Sequence, residues 1–149
     1  DADITFTSES VIFDSIYQVM FNNYSMIGTT PKYFGEPDFK AEIMFFFNRI
    51  TTWILSKTRP FAVGGFQYWN TKAYWECGGY KPEELFAEDY SVSHLVDSKK
   101  FKIHKTEGVY TSARRFKNKG VFYMVWLMIK CYVNRNNPEF FKQHHNYWS

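Results

Sequence analysis

Asp1-Ala2-Asp3 sets two carboxylates two residues apart. In extended backbone, residues i and i+2 project to the same side, so this pair can jointly hold a hard divalent cation such as Mn2+ or Mg2+ through oxygen ligands. A solvated acidic terminus is the plain alternative. Further along stand Gly78-Gly79-Tyr80, then Glu88-Asp89, then Thr111-Ser112-Ala113-Arg114-Arg115-Phe116. Gly78 and Gly79 let the backbone pass close to a ligand where a side chain would obstruct it, or they end a helix, or both. Asp89 falls near the start of an expected helix, where the positive end of the dipole favours the ionised carboxylate that a general base needs. A first-turn helix acid would look the same out of context. Arg114 and Arg115 can fork onto phosphate oxygens, and a solvated basic turn is the competing account. Trp69 and Trp75 flank the Gly-Gly step, each able to stack on a sugar ring or to serve as core.

Positioning these residues takes alternating helices and strands. Ser8 caps an expected helix with Val11, Ile12, Ile16, Val19 and Met20 at helical spacing, stopping at Asn22 or Asn23. Residues 24–30 read as a strand and 31–37 as a loop. Asp38 opens a second helix, whose stripe of Phe39, Ile43, Phe46, Phe47, Ile50, Trp53 and Ile54 is expected to pack into the core, a membrane interface being the other use of such a stripe. Residues 61–69 have strand composition, Asn70 or Thr71 caps a short helix ended by Gly78 and Gly79, and Pro82-Glu83 lead into a helix through Leu85, Tyr90, His94 and Leu95. Phe101–His104 and Val109–Thr111 alternate as strands, 116–133 reads as one helix, and 134–149 is a polar, aromatic tail. This alternation places the chain in the α/β class. A doubly wound sheet usually opens on a hydrophobic strand, yet this chain opens on a pattern expected where a strand ends and ligands bind. The expectation is a portion of a larger domain.

A length of 149 residues fits one domain or a piece of one. Aromatic residues make up 21% of the chain, more than a core of Leu, Ile and Val requires, and their faces also serve stacking. The net charge of +3 suits a small anionic ligand or a membrane surface and lacks the long Lys/Arg blocks of a nucleic-acid binder. Cys77 and Cys131 stand far apart, without the spacing of a zinc site or redox pair, which points to reduced thiols and a cytoplasmic setting. The longest apolar run, 121–133, falls short of the roughly 20 residues that span a bilayer.

In their order and spacing, the Asp-x-Asp, the aromatic strand, Gly-Gly-aromatic, Glu-Asp and the basic turn resemble family-2 glycosyltransferases over almost the whole chain. The resemblance implies the C-terminal, acceptor-side half of a mixed-sheet GT-A fold over residues 1–149, with 116–149 as its closing helix and tail. It implies metal-assisted transfer, with inversion, from a nucleotide-diphosphate sugar to a glycan or lipid-linked acceptor. Asp1 and Asp3 would then hold the metal, Asp89 would be the base, and Gly78, Gly79, Glu88, Trp75, Arg114 and Arg115 would meet substrate. His104 is a further, weaker candidate as metal ligand. The Gln-x-x-Arg-Trp motif of processive members is absent, which implies single transfers. The strands that bind nucleotide in the family would precede Asp1, so the expected partner is an N-terminal half, without which this chain alone should be inactive. The reading opposed to an enzyme is a non-catalytic, aromatic-rich module that binds a glycan or a membrane surface.

Overall fold

The computed structural model describes residues 4–36, 38–62, 65–104 and 108–145, apart from the side chains of Leu55, Arg114, Arg115, Phe116 and Val121. In chain order the elements are β1 (Ile4–Phe6), α1 (Ser10–Phe21), β2 (Met26–Thr29), β3 (Lys32–Tyr33), α2 (Phe39–Ser56), β4 (Gln67–Trp69) and α3 (Thr71–Glu76). There follow α4 (Glu88–Ser93), β5 (Phe101–His104), β6 (Val109–Thr111), α5 (Arg114–Lys119), α6 (Val121–Val133) and α7 (Pro138–Phe141). The class is mixed α/β, as the alternation of patterns requires.

The strands form two small mixed sheets, ordered β1-β6-β3 and β4-β2-β5. In the second, β2 is central, antiparallel to β4 and parallel to β5, and all four of its residues are buried. An apolar strand covered on both faces belongs at such a centre. In the first, β6 runs antiparallel to β1, with Ile4 opposite Thr111, and parallel to β3. The two strands expected at Phe101–His104 and Val109–Thr111 form with those bounds.

Several local expectations are corrected. α1 starts at Ser10 and buries Val11, Ser15 and Gln18, while Ile12 and Met20 are exposed. The strand expected over 61–69 is confined to Gln67–Trp69, and the helix expected after Pro82 is only Glu88–Ser93. The helix expected over 116–133 is two helices, because Gly120 stands between them at φ 81°, outside helical backbone. Asp38 does open α2, accepting from the Lys40 and Ala41 amides. The largest correction concerns α2 itself, which turns Ala41, Met44 and Phe45 inward onto Tyr33 and Ala113 and leaves the expected core stripe exposed.

A second cluster, Met26, Ala62, Val96 and Phe101, lies under the central sheet. The third gathers Phe86, Tyr90, Met124, Leu127, Cys131, Phe140 and Phe141, and so joins the segment before α4 to α6 and α7. The tail is therefore part of the core through Phe140 and Phe141.

Candidate functional site

The Gly-Gly step follows α3, whose N-cap Asn70 accepts from the Ala73 amide at 3.1 Å. Gly78 and Gly79 have φ 88° and 61°, and their amides bond back to the Trp75 and Tyr74 carbonyls at 3.0 Å. A Cβ on Gly79 would lie 3.0 Å from Tyr74 Cε1, so beyond its left-handed backbone the position is crowded by the ring beside it. The Tyr74 hydroxyl accepts from the Tyr80 amide at 2.8 Å, and the Tyr74 ring meets Trp69, Trp75 and Tyr80 edge-on at centroid distances of 5.5, 5.0 and 5.6 Å. Edge-to-face packing of this kind is favoured by the ring quadrupoles. Trp69 is half-buried against the central cluster, whereas Trp75 is 67% exposed and free to present its face to a ligand.

Gln67 ties this aromatic group to the acid pair. Its Oε1 accepts from the Tyr80 hydroxyl and from Trp69 Nε1, both at 3.0 Å, and its Nε2 donates to the Asp89 and Ala62 carbonyls at 3.4 Å. Burial, followed by the nearby charge of Asp89, raises the Tyr80 hydroxyl well above its ordinary range, with Tyr74 and Glu88 adding to it. Tyr80 therefore remains a hydrogen-bond donor at neutral pH. The fold thus brings Gly78-Gly79-Tyr80 and Glu88-Asp89 together across the seven intervening positions of irregular chain.

Immediately before the acid pair, Ala87 is in the left-handed region at φ 50°. A residue with a side chain costs roughly 1–2 kcal/mol there and persists only where its surroundings impose it. Those surroundings are evident. The Leu85 and Phe86 amides donate to the Phe141 carbonyl at 2.9 and 3.2 Å, and Glu84 accepts from the Ser91 hydroxyl and pairs with Lys81 at 3.4 Å. Asp89 Oδ1 accepts from the Tyr90 amide at 2.8 Å, and the side chain is half-buried. On α6, burial and then the charge of Asp89 push the Cys131 thiol up to about 12, so Cys131 is an inert core thiol. Both cysteines are free.

Asp1 and Asp3 lie outside the described residues. β1 begins one residue after Asp3, and its Ile4 is level with Thr111, which leads through Ser112 and Ala113 into Arg114. The side chains of Arg114 and Arg115 lie outside the described ones. Their neighbour Lys117 pairs with Asp38 at 3.6 Å and borders an open cleft of about 300 Å3 formed with Tyr33, Gly35, Ser112 and Ala113. The 61–69 segment also reaches β1, through an edge-on contact between Phe66 and Phe6 at 5.6 Å. His104 Nε2 is taken up by the Asp14 carboxylate on α1. Among the described residues, no three His, Cys, Asp or Glu side chains come together in a way that would hold a metal ion.

Gln67, Tyr74 and Ala87 were not legible as site residues. A glutamine inside the aromatic run Phe66-Gln67-Tyr68-Trp69 was the available signal, because a polar side chain there must find partners when buried. His145 packs on Phe140 and Phe86 at 4.3 and 4.8 Å, and its Nε2 donates to the Phe140 carbonyl at 2.8 Å. No protein-family model, curated protein or solved structure matches the chain.

Proposed function

We propose that this chain carries the acceptor-side part of an inverting, non-processive sugar transfer from a nucleotide-diphosphate donor, with Asp89 as the general base. The observation that supports this most is the joining of Gly78-Gly79-Tyr80 to Glu88-Asp89 through Gln67 and the Tyr80 hydroxyl. An acceptor hydroxyl oxygen would attack the anomeric carbon, the bond from that carbon to the donor phosphate oxygen would break with its electron pair leaving on the nucleoside diphosphate, and the hydroxyl proton would pass to an Asp89 oxygen. Tyr80, kept protonated by burial and by its acidic neighbours, would donate to substrate or hold Gln67 in place. Gly79 would keep the backbone beside the aromatic group, and Trp75 would offer its exposed ring to an acceptor sugar. Arg114 and Arg115 would meet the leaving diphosphate. A divalent ion on Asp1 and Asp3 would stabilise charge on the departing phosphate.

The test is transfer by the full-length protein with Asp89→Asn. The isostere keeps shape and loses the proton acceptor, so kcat should fall at least about a thousandfold while donor affinity stays within a few-fold. Activity within tenfold of the unaltered protein would remove Asp89 from the role.

A further inference from the structure

Two helices have a second apolar face. On α2, Ala41, Met44, Phe45 and Thr52 are buried, and at about 100° per residue the opposite side carries Phe39, Ile43, Phe46, Phe47, Trp53 and Ile54, all exposed. On α6, Met124, Leu127 and Cys131 face the core while Phe122, Trp126, Ile129 and Val133 face outward, Phe122 being 93% exposed. Scattered surface apolar residues are ordinary, but continuous stripes along two helices mark a binding surface.

The charges in the segments that carry these stripes are mostly basic. From 108 to 138 the chain has six cations (Arg114, Arg115, Lys117, Lys119, Lys130, Arg135) and no acid, although the whole chain carries only +3. From 39 to 59 it has Lys40, Arg49, Lys57 and Arg59 against Glu42 alone. Lys57 Nζ lies 3.7 Å from the Trp53 ring centroid and Lys130 Nζ lies 3.6 Å from that of Trp126. Each pair sets an apolar stem along the stripe with an ammonium beside an indole, the arrangement suited to a lipid–water boundary. Arg59 and Arg135 both approach the Tyr132 ring, at 5.6 and 4.9 Å, so the C-terminal ends of α2 and α6 adjoin.

We propose that α2 and α6 form a docking surface for an anionic lipid bilayer, lying in the plane of its interface. α6 is about 20 Å long and no described helix is long and apolar enough to cross a membrane, which agrees with an in-plane position. A second copy of the chain fits less well, because a two-fold contact through this face would oppose like charges. The proposal stands independently of sugar transfer.

Vesicle flotation of the purified chain tests it, with phosphatidylcholine alone and with phosphatidylcholine plus phosphatidylglycerol. Recovery should favour the anionic vesicles and fall as salt rises. Lys57→Glu with Lys130→Glu should weaken binding to anionic vesicles by about tenfold or more. Phe122→Ser with Ile129→Ser should weaken it similarly with little change in melting temperature, since both side chains are mostly exposed. Recovery indifferent to lipid charge in the unaltered protein would overturn the proposal. So would a lipid-free dimer that the Phe122 and Ile129 substitutions dissolve, which would give this face to a protein partner.

Discussion

Gly79 shows how one residue conditions the site. Its φ of 61° is left-handed, and an added Cβ would lie 3.0 Å from Tyr74 and 3.2 Å from Trp75. Gly79→Ala should therefore destabilise the protein by about 1–3 kcal/mol in denaturant unfolding. Gly78→Ala meets only Lys81 Cε at 3.9 Å and should cost less, its φ of 88° being the sole penalty. Equal losses would mean that the Tyr74 contact is slack. His94 conditions the same region through protonation. Burial lowers its pKa, opposed by the Tyr90 and Ser91 carbonyls, while Arg135 and Glu84 act in opposite directions. The unfolded chain then takes up a proton at higher pH than the folded one, so stability is full above about pH 6.5 and declines as pH falls toward the lowered native value. Melting temperature should drop as pH falls below about 6.5, and His94→Gln should remove part of that drop. An identical slope in the variant would assign the pH dependence elsewhere.

At the scale of elements, α2 is instructive. It is apolar on both faces, and periodicity alone locates the stripes without saying which one meets the sheet. In the folded chain Ala41, Met44 and Phe45 are the side chains that pack with Ala113 and Tyr33. The inward face also holds Thr52, whose hydroxyl is buried with no hydrogen-bond partner among the described residues. Replacing an unsatisfied hydroxyl by a methyl of the same shape removes a desolvation penalty. Thr52→Val should raise unfolding free energy by about 1 kcal/mol, and a loss of similar size would show that the hydroxyl is engaged.

At the scale of the whole molecule, the tail is coupled to the acid pair. Phe141 is 2% exposed, contacts Tyr90 at a centroid distance of 6.3 Å, and its carbonyl holds the Leu85 and Phe86 amides just ahead of strained Ala87. Phe141→Ala should cost about 3–5 kcal/mol and leave the backbone at Ala87 less constrained. If Asp89 is the base, transfer should fall further than the lost folded fraction accounts for. A stability loss below about 1 kcal/mol would mean that α7 is a peripheral attachment.

The α/β class, the strands at Phe101–His104 and Val109–Thr111, the opening of α2 at Asp38 and the end of α3 at two glycines were all legible in the order of residues. These follow from local propensity, capping and period, which depend on neighbours in the chain. The same order also marked Gly78, Gly79 and Asp89 as candidates. Long-range packing, by contrast, set the meeting of the Gly-Gly turn and the acid pair through Gln67, the exposure of Trp75 while Trp69 packs inward, and the engagement of His104 by Asp14. It likewise split the helix expected over 116–133 and reversed the expected face of α2. Each of these depends on contacts between residues distant in sequence, where the gain from packing one face rather than another outweighs the small differences in local preference.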